Sequence, residues 1–143
     1  FEKAYQIDSS DVTLVYHLAD TKSRRYYGTN PEVEYLYEKA FQMLEPDPIM
    51  MHNIYGSRAM SFHRAEDFRT AIRYYEQSYR YNKKNISALS SIGYCYERLK
   101  EYDKALEYYE RYLKLGKPGS KGYQFVEESI AYIRQEKFME ETE

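Results

Sequence analysis

The sequence predicts an all-α chain, an α-solenoid of stacked helix-turn-helix repeats with a C-terminal capping helix. Three observations carry that prediction. The first is that residues 52–85 and 86–119 are two copies of one 34-residue unit. Ala59 falls on Gly93, Phe62 on Tyr96, Phe68 on Tyr102 and Ala71 on Ala105. Ile72 falls on Leu106, Tyr74 and Tyr75 on Tyr108 and Tyr109, and Glu76 on Glu110. A fixed period of this length marks a helix pair that cannot bury both faces alone and so leans on its neighbours. The second is a set of small residues where two antiparallel helices would cross, Ala59 with Ala71 and Gly93 with Ala105, because close packing needs small side chains there. The third is a ring of aromatics around each crossing: Phe62, Phe68 and Tyr75, then Tyr96, Tyr102 and Tyr109.

The unit resembles the tetratricopeptide repeat (TPR), which has this length, a large residue opening helix A, a small one at position 8, an aromatic at 11 and Ala at 20. The resemblance covers nearly the whole chain. It implies about seven helices in a right-handed superhelical array that offers a surface to partners rather than a reaction centre.

Taken in order, residues 1–11 form a remnant helix B of an upstream repeat. Phe1-Glu2-Lys3-Ala4 reads like Tyr37-Glu38-Lys39-Ala40, and in the TPR pattern this tetrad lies within helix B. The chain is therefore expected to be a fragment of a longer TPR-containing protein. Ser9-Ser10-Asp11 supplies N-cap chemistry. Residues 12–51 are a degenerate TPR-like repeat with a longer hairpin, since the two tetrads stand 36 residues apart. Its helix A runs from Val12 to about Tyr26, with Val15, Leu18 and Ala19 inward. After Gly28-Thr29, Asn30 caps helix B, and Pro31 at the first position loses no needed N–H. Pro46 and Pro48 are expected to break the chain before the next unit.

Residues 52–85 and 86–119 are TPR repeats with short hairpins near Glu66-Asp67 and Lys100-Glu101. Residues 120–143 are a capping helix and frayed tail, with Tyr123, Val126, Ile130 and Ile133 at helical spacing. Two departures stand out. Arg58 occupies an apolar position, so its stem is expected along the interface with its head in water. Tyr112 replaces a small residue that normally abuts the following helix A, which fits a changed neighbour after Ser120.

The resemblance also implies where partners bind, because helix A positions 2, 5, 9 and 12 face the concave groove. Carried onto this chain, the candidate partner-binding residues are Thr13, Tyr16, Asp20 and Ser23 in the first repeat. In the second they are Asn53, Gly56, Met60 and His63, and in the third Ser87, Ser90, Tyr94 and Glu97. Tyr16, Met60 and Tyr94 offer adaptable apolar contact. Some TPR proteins hold the C-terminal carboxylate of heat-shock chaperones with Lys and Asn on successive helices A. Here Tyr16, Asp20, Gly56 and Met60 stand at those positions, so that clamp is not expected.

Catalytic, cofactor and metal sites are not expected. His52 and His63 share a helical face but stand roughly 16 Å apart at ~1.5 Å per residue, too far for one ion, and are read as solvated or groove-lining. Cys95, beside the packed Tyr96, is read as a buried inert thiol. There is no GxGxxG, phosphate-loop or GxSxG motif. A net charge of −2 gives no basic field for nucleic acid. No apolar run approaches the ~18–20 residues of a membrane span. The 19 tyrosines with no tryptophan fill large repeat positions whose hydroxyl ends stay near water. The function expected is a protein–protein interaction scaffold, not an enzyme, binding a peptide or protein segment in the helix-A groove. The alternatives are a structural spacer or self-association segment, or a substrate-positioning part of a larger enzyme or regulator. Compartment, oligomeric state and partner identity are not encoded in this stretch.

Overall fold

The computed structural model describes residues 12–25, 30–43 and 47–142. The upstream remnant, its Ser9-Ser10-Asp11 cap, residues 26–29 of the first hairpin, Pro46 and the side chains of Val12, Thr13 and residues 41–43 lie outside that description. The described residues form seven α-helices and no strand. They divide into two compact units, residues 1–82 and 83–143.

The first unit holds α1 (Val12–Arg25), α2 (Pro31–Met43), α3 (Pro48–Arg64) and α4 (Phe68–Tyr81). α1 packs on α2, α3 on α4, and α1 on α3. Val15, Leu18 and Ala19 make one stripe of α1, and Val33, Leu36, Tyr37 and Ala40 one stripe of α2. With Ile54 of α3 they form one buried core. Each fully buried Leu or Val adds roughly 1.5–3 kcal/mol over an exposed one. The Asn30 carboxamide caps α2, its Oδ1 accepting from Glu32 N at 3.0 Å and Val33 N at 3.3 Å.

Pro48 does not break the chain before the second repeat, as its sequence context predicts. It is the first residue of α3, four positions ahead of His52. The reason is local: Asp47 Oδ1 accepts from Ile49 N and Met50 N, and proline at a helix's first turn surrenders no intrahelical bond.

The second unit holds α5 (Ser87–Arg98), α6 (Tyr102–Leu115) and α7 (Lys121–Thr142), each packed against the other two. The two short hairpins close alike. Glu66 and Lys100, equivalent positions, both adopt left-handed backbone, with φ of 60° and 59°. Asp67 N donates to Phe62 O at 2.9 Å, and Glu101 N to Tyr96 O at 3.0 Å. The aromatic pair repeats as well, stacked in the first copy and tilted by 32° in the second. Phe62 lies on Tyr74 with centroids 5.4 Å apart, and Tyr96 on Tyr108 at 5.7 Å.

α7 buries Val126, Ile130 and Ile133. A Cβ built on Gly122 would lie 2.2 Å from the Tyr112 hydroxyl oxygen, so the bulky Tyr112 is accommodated by a glycine in the first turn of α7. The changed neighbour expected from the sequence is this contact. Residues 140–142 are exposed and lie within α7, where the Thr142 Oγ1 donates to Met139 O at 3.0 Å.

Arg58 departs from expectation. Its head is not in water: the side chain is only 11 % exposed and ion-paired to Glu34 of α2. The guanidinium carbon lies 4.5 Å from the Tyr74 ring centroid and 5.5 Å from that of Tyr37. A planar, weakly hydrated cation tolerates such a site when rings and a carboxylate surround it, yet Nε finds no hydrogen-bond partner among the described residues. Glu34→Gln is expected to destabilise the chain by about 1–3 kcal/mol, since it leaves a buried charge uncompensated. Arg58→Met, which removes charge and keeps the stem, is expected to cost less. Urea unfolding of both variants checks the order.

Candidate functional site

Helix A of each repeat carries its candidate binding residues beside the residues that hold it to helix B, and the structure separates the two sets. At position 12 all three repeats do the same thing. Tyr37 donates to Ser23 Oγ at 3.3 Å, the Tyr75 hydroxyl bonds His63 Nδ1 at 3.0 Å, and Tyr109 donates to Glu97 Oε1 at 3.2 Å. The tyrosine is the equivalent helix B residue each time. Buried hydroxyls need partners, and position 12 supplies one from across the pair. Burial pushes Tyr37 up to about 12 and raises Tyr109 further, with the neighbouring Glu97 charge adding to it. Both stay protonated donors at physiological pH.

His63 is therefore engaged by α4. Its ring also meets Phe68 and Tyr75 edge-on, with centroids 5.8 and 6.0 Å away. His52 is likewise held rather than simply solvated, its Nδ1 donating to the Ser78 carbonyl at 2.8 Å. Gly56 serves the same pair: a Cβ there would stand 3.3 Å from Ser78 Oγ. Its smallness lets α3 and α4 approach.

The remaining candidates of the first unit are more open. Tyr16 is half-buried, and its hydroxyl bonds Ser57 Oγ of α3 at 3.3 Å, tying the two helices A together. Burial raises its pKa. Asp20 pairs with Arg24 at 3.1 Å, one turn along the same helix. Asn53 is exposed, and Met60 is 46 % exposed, a large apolar side chain left in solvent on α3. Thr13 lies on α1 with its side chain outside the described set.

In the second unit, the Ser87 hydroxyl donates to Asn85 Oδ1 at 2.6 Å and the Ser90 hydroxyl to Ser87 O at 2.9 Å. Both act on the first turn of α5. Tyr94 is half-buried, accepts from Arg98 Nη1 at 3.0 Å, and lies 6.5 Å between centroids from Phe125 of α7. Phe125, 43 % exposed, was not among the sequence candidates. Glu97 is half-buried, and desolvation raises its pKa against the lowering effects of the Tyr109 hydrogen bond and Arg98.

Cys95 is fully buried, and burial pushes its thiol up to about 12. Only the thiolate attacks, so Cys95 is expected to resist a disulfide-exchange reagent at pH 8 in the folded chain and to react fully in denaturant. Rapid native-state labelling would contradict its packing. Among the described residues no group of His, Cys, Asp and Glu is placed to hold a metal ion, and no helix is long and apolar enough to cross a membrane.

The tetratricopeptide repeat family profile matches residues 57–120. No curated protein matches the chain. Among solved structures, the crystal structure of MamA aligns with a TM-score of 0.71 and 22 % identity, over 95 % of this chain and 74 % of that one. The Hsp90 co-chaperone Cns1 from Saccharomyces cerevisiae (delta69) aligns with a TM-score of 0.73 and 16 % identity, over 92 % of this chain and 43 % of that one. At these identities the likeness is one of fold. Helix pairs, small-residue crossings and hairpins recur 34 residues apart; residues 57–120 match the tetratricopeptide repeat family, and the chain shares the fold of these solved structures.

Proposed function

We propose that this chain is a protein-interaction scaffold that holds a peptide or protein segment against the helix A faces. In the first unit the face presents Tyr16, Asp20, Asn53 and Met60, with Thr13 on α1. In the second it presents Ser87, Ser90, Tyr94 and Glu97. The observation that carries the reading is Met60, a flexible apolar side chain left 46 % exposed on helix A of the second repeat. A flexible apolar group kept in water suits an adaptable contact. Tyr16 and Tyr94 add half-exposed rings on their own helices A. Chaperone-tail recognition is not part of the proposal, because the clamp positions hold Tyr16, Asp20, Gly56 and Met60.

Affinity capture from lysate, with bound proteins identified by mass spectrometry, tests the reading. Tyr16→Ala, Met60→Ala and Tyr94→Ala are each expected to weaken a captured partner by about 1–2 kcal/mol, because binding energy concentrates in a few apolar or aromatic anchors. Stability should be nearly unchanged for Met60→Ala and lowered for the other two, since Tyr16 packs on the core and bonds Ser57 and Tyr94 meets Phe125. Charge changes at the exposed helix B residues Arg73 and Glu107 should act mainly on salt dependence. Silent anchors with binding abolished by the helix B changes would overturn the groove. Capture of nothing, with self-association seen by sedimentation, would favour the spacer or self-association reading.

A further inference from the structure

Position 12 of helix A differs in charge among the repeats. Ser23 is neutral and buried, His63 is locked to Tyr75, and Glu97 brings a carboxylate into the second unit. Only one of its oxygens is used: Oε1 accepts from Tyr109, and no hydrogen bond to Oε2 is found among the described residues. The half-buried carboxylate is therefore held at one oxygen by a buried tyrosine.

Its surroundings are aromatic. Tyr94, one turn back on α5, faces Phe125 of α7 at 6.5 Å, and Phe125 meets the Tyr109 ring edge-on at 6.4 Å. Phe125 and Glu97 thus both meet Tyr109, and Tyr94 joins them through Phe125 while lying one helical turn from the half-buried Glu97. The nearby cation, Arg98, is exposed and donates to the Tyr94 hydroxyl, its guanidinium carbon 5.9 Å from that ring. It offsets part of the Glu97 charge through space.

We propose that the second unit takes a lysine- or arginine-bearing peptide segment at Glu97, with the cation's alkyl stem lying against Tyr94 and Phe125. The charge complementarity is direct, because a desolvated carboxylate gains more from a cation than a solvated one does. Aromatic faces attract the same cation and cover its methylenes. The elevated proton affinity of Glu97 agrees, marking a charge that the fold leaves undercompensated. This inference rests on the interaction-scaffold reading and adds to it a chemical class of partner for one unit.

The test uses three synthetic peptides, Gly-Ser-Ala-Leu-X-Leu-Ala-Ser-Gly with X as Lys, Gln or Glu, titrated into the whole chain to millimolar concentration and followed by NMR. The Lys peptide is expected to bind about fivefold tighter than the Gln peptide, on the scale of one part-buried ion pair, and the Glu peptide weakest. Glu97→Gln keeps an acceptor for Tyr109, so the fold is retained, and it should erase the Lys preference. Phe125→Ala should weaken the Lys peptide. Equal binding of Lys and Gln peptides, a Lys preference that survives Glu97→Gln, or no binding of the Lys peptide overturns the proposal. The two readings separate: if Lys and Gln peptides bind alike and Tyr94→Ala weakens both, segment binding stands and cation selection does not.

Discussion

Tyr109→Ala is expected to be the most damaging single substitution in the second unit, costing about 3–5 kcal/mol, the range for removing a large buried aromatic. Tyr109 is fully buried, its ring lies against Gly93 and Phe125, and its hydroxyl anchors Glu97. Truncation would open a cavity between α5 and α6 and strip a half-buried carboxylate of its donor at once. Tyr109→Phe separates the two effects. It keeps the ring and deletes the hydrogen bond, so its cost is expected near 1 kcal/mol. Urea denaturation followed by circular dichroism measures both, and equal losses for Ala and Phe would show that the ring contributes no packing.

Gly93→Leu is expected to cost about 1–3 kcal/mol or more through overpacking. Even a Cβ at Gly93 would stand 2.6 Å from two carbons of the Tyr109 ring. That ring cannot swing away, because its far end is bonded to Glu97 and its edge meets Phe125. Gly93→Ala should already be destabilising, which separates a steric cost from the ordinary gain of replacing a helical glycine. A Gly93→Ala variant more stable than the parent would show that α5 and α6 can spread. Ala105, at the same crossing, is also fully buried, and Ala105→Leu should behave similarly.

Much of the fold was legible because one spacing governs it. Residues 34 apart take the same place, so Ala59 and Gly93, Phe62 and Tyr96, and the hairpin residues Glu66 and Lys100 could be paired before any coordinates. What escaped were contacts between residues with no fixed spacing. Glu34 is 24 residues from Arg58, and nothing local links them; only the packing of α3 on the first repeat brings carboxylate and guanidinium together. Position 12 was assigned to the groove by family resemblance, while the Tyr37, Tyr75 and Tyr109 hydroxyls reach it across the helix pair. The polar residues Ser23, His63 and Glu97 opposite three tyrosines were the available signal. Pro48 was misread because Asp47 beside it can cap as well as turn. Phe125 was overlooked because α7 was judged by the face it buries.

The measurement that bears most directly on the account is an NMR titration of the chain carrying isotope-labelled methionine methyl groups, with a captured partner segment added. Met60 is exposed on the helix A face of α3, and Met139 is comparably exposed on α7. If helix A faces hold the partner, the Met60 methyl resonance shifts with saturation while that of Met139 stays in place. A shifting Met139 with an unmoved Met60 would contradict the account.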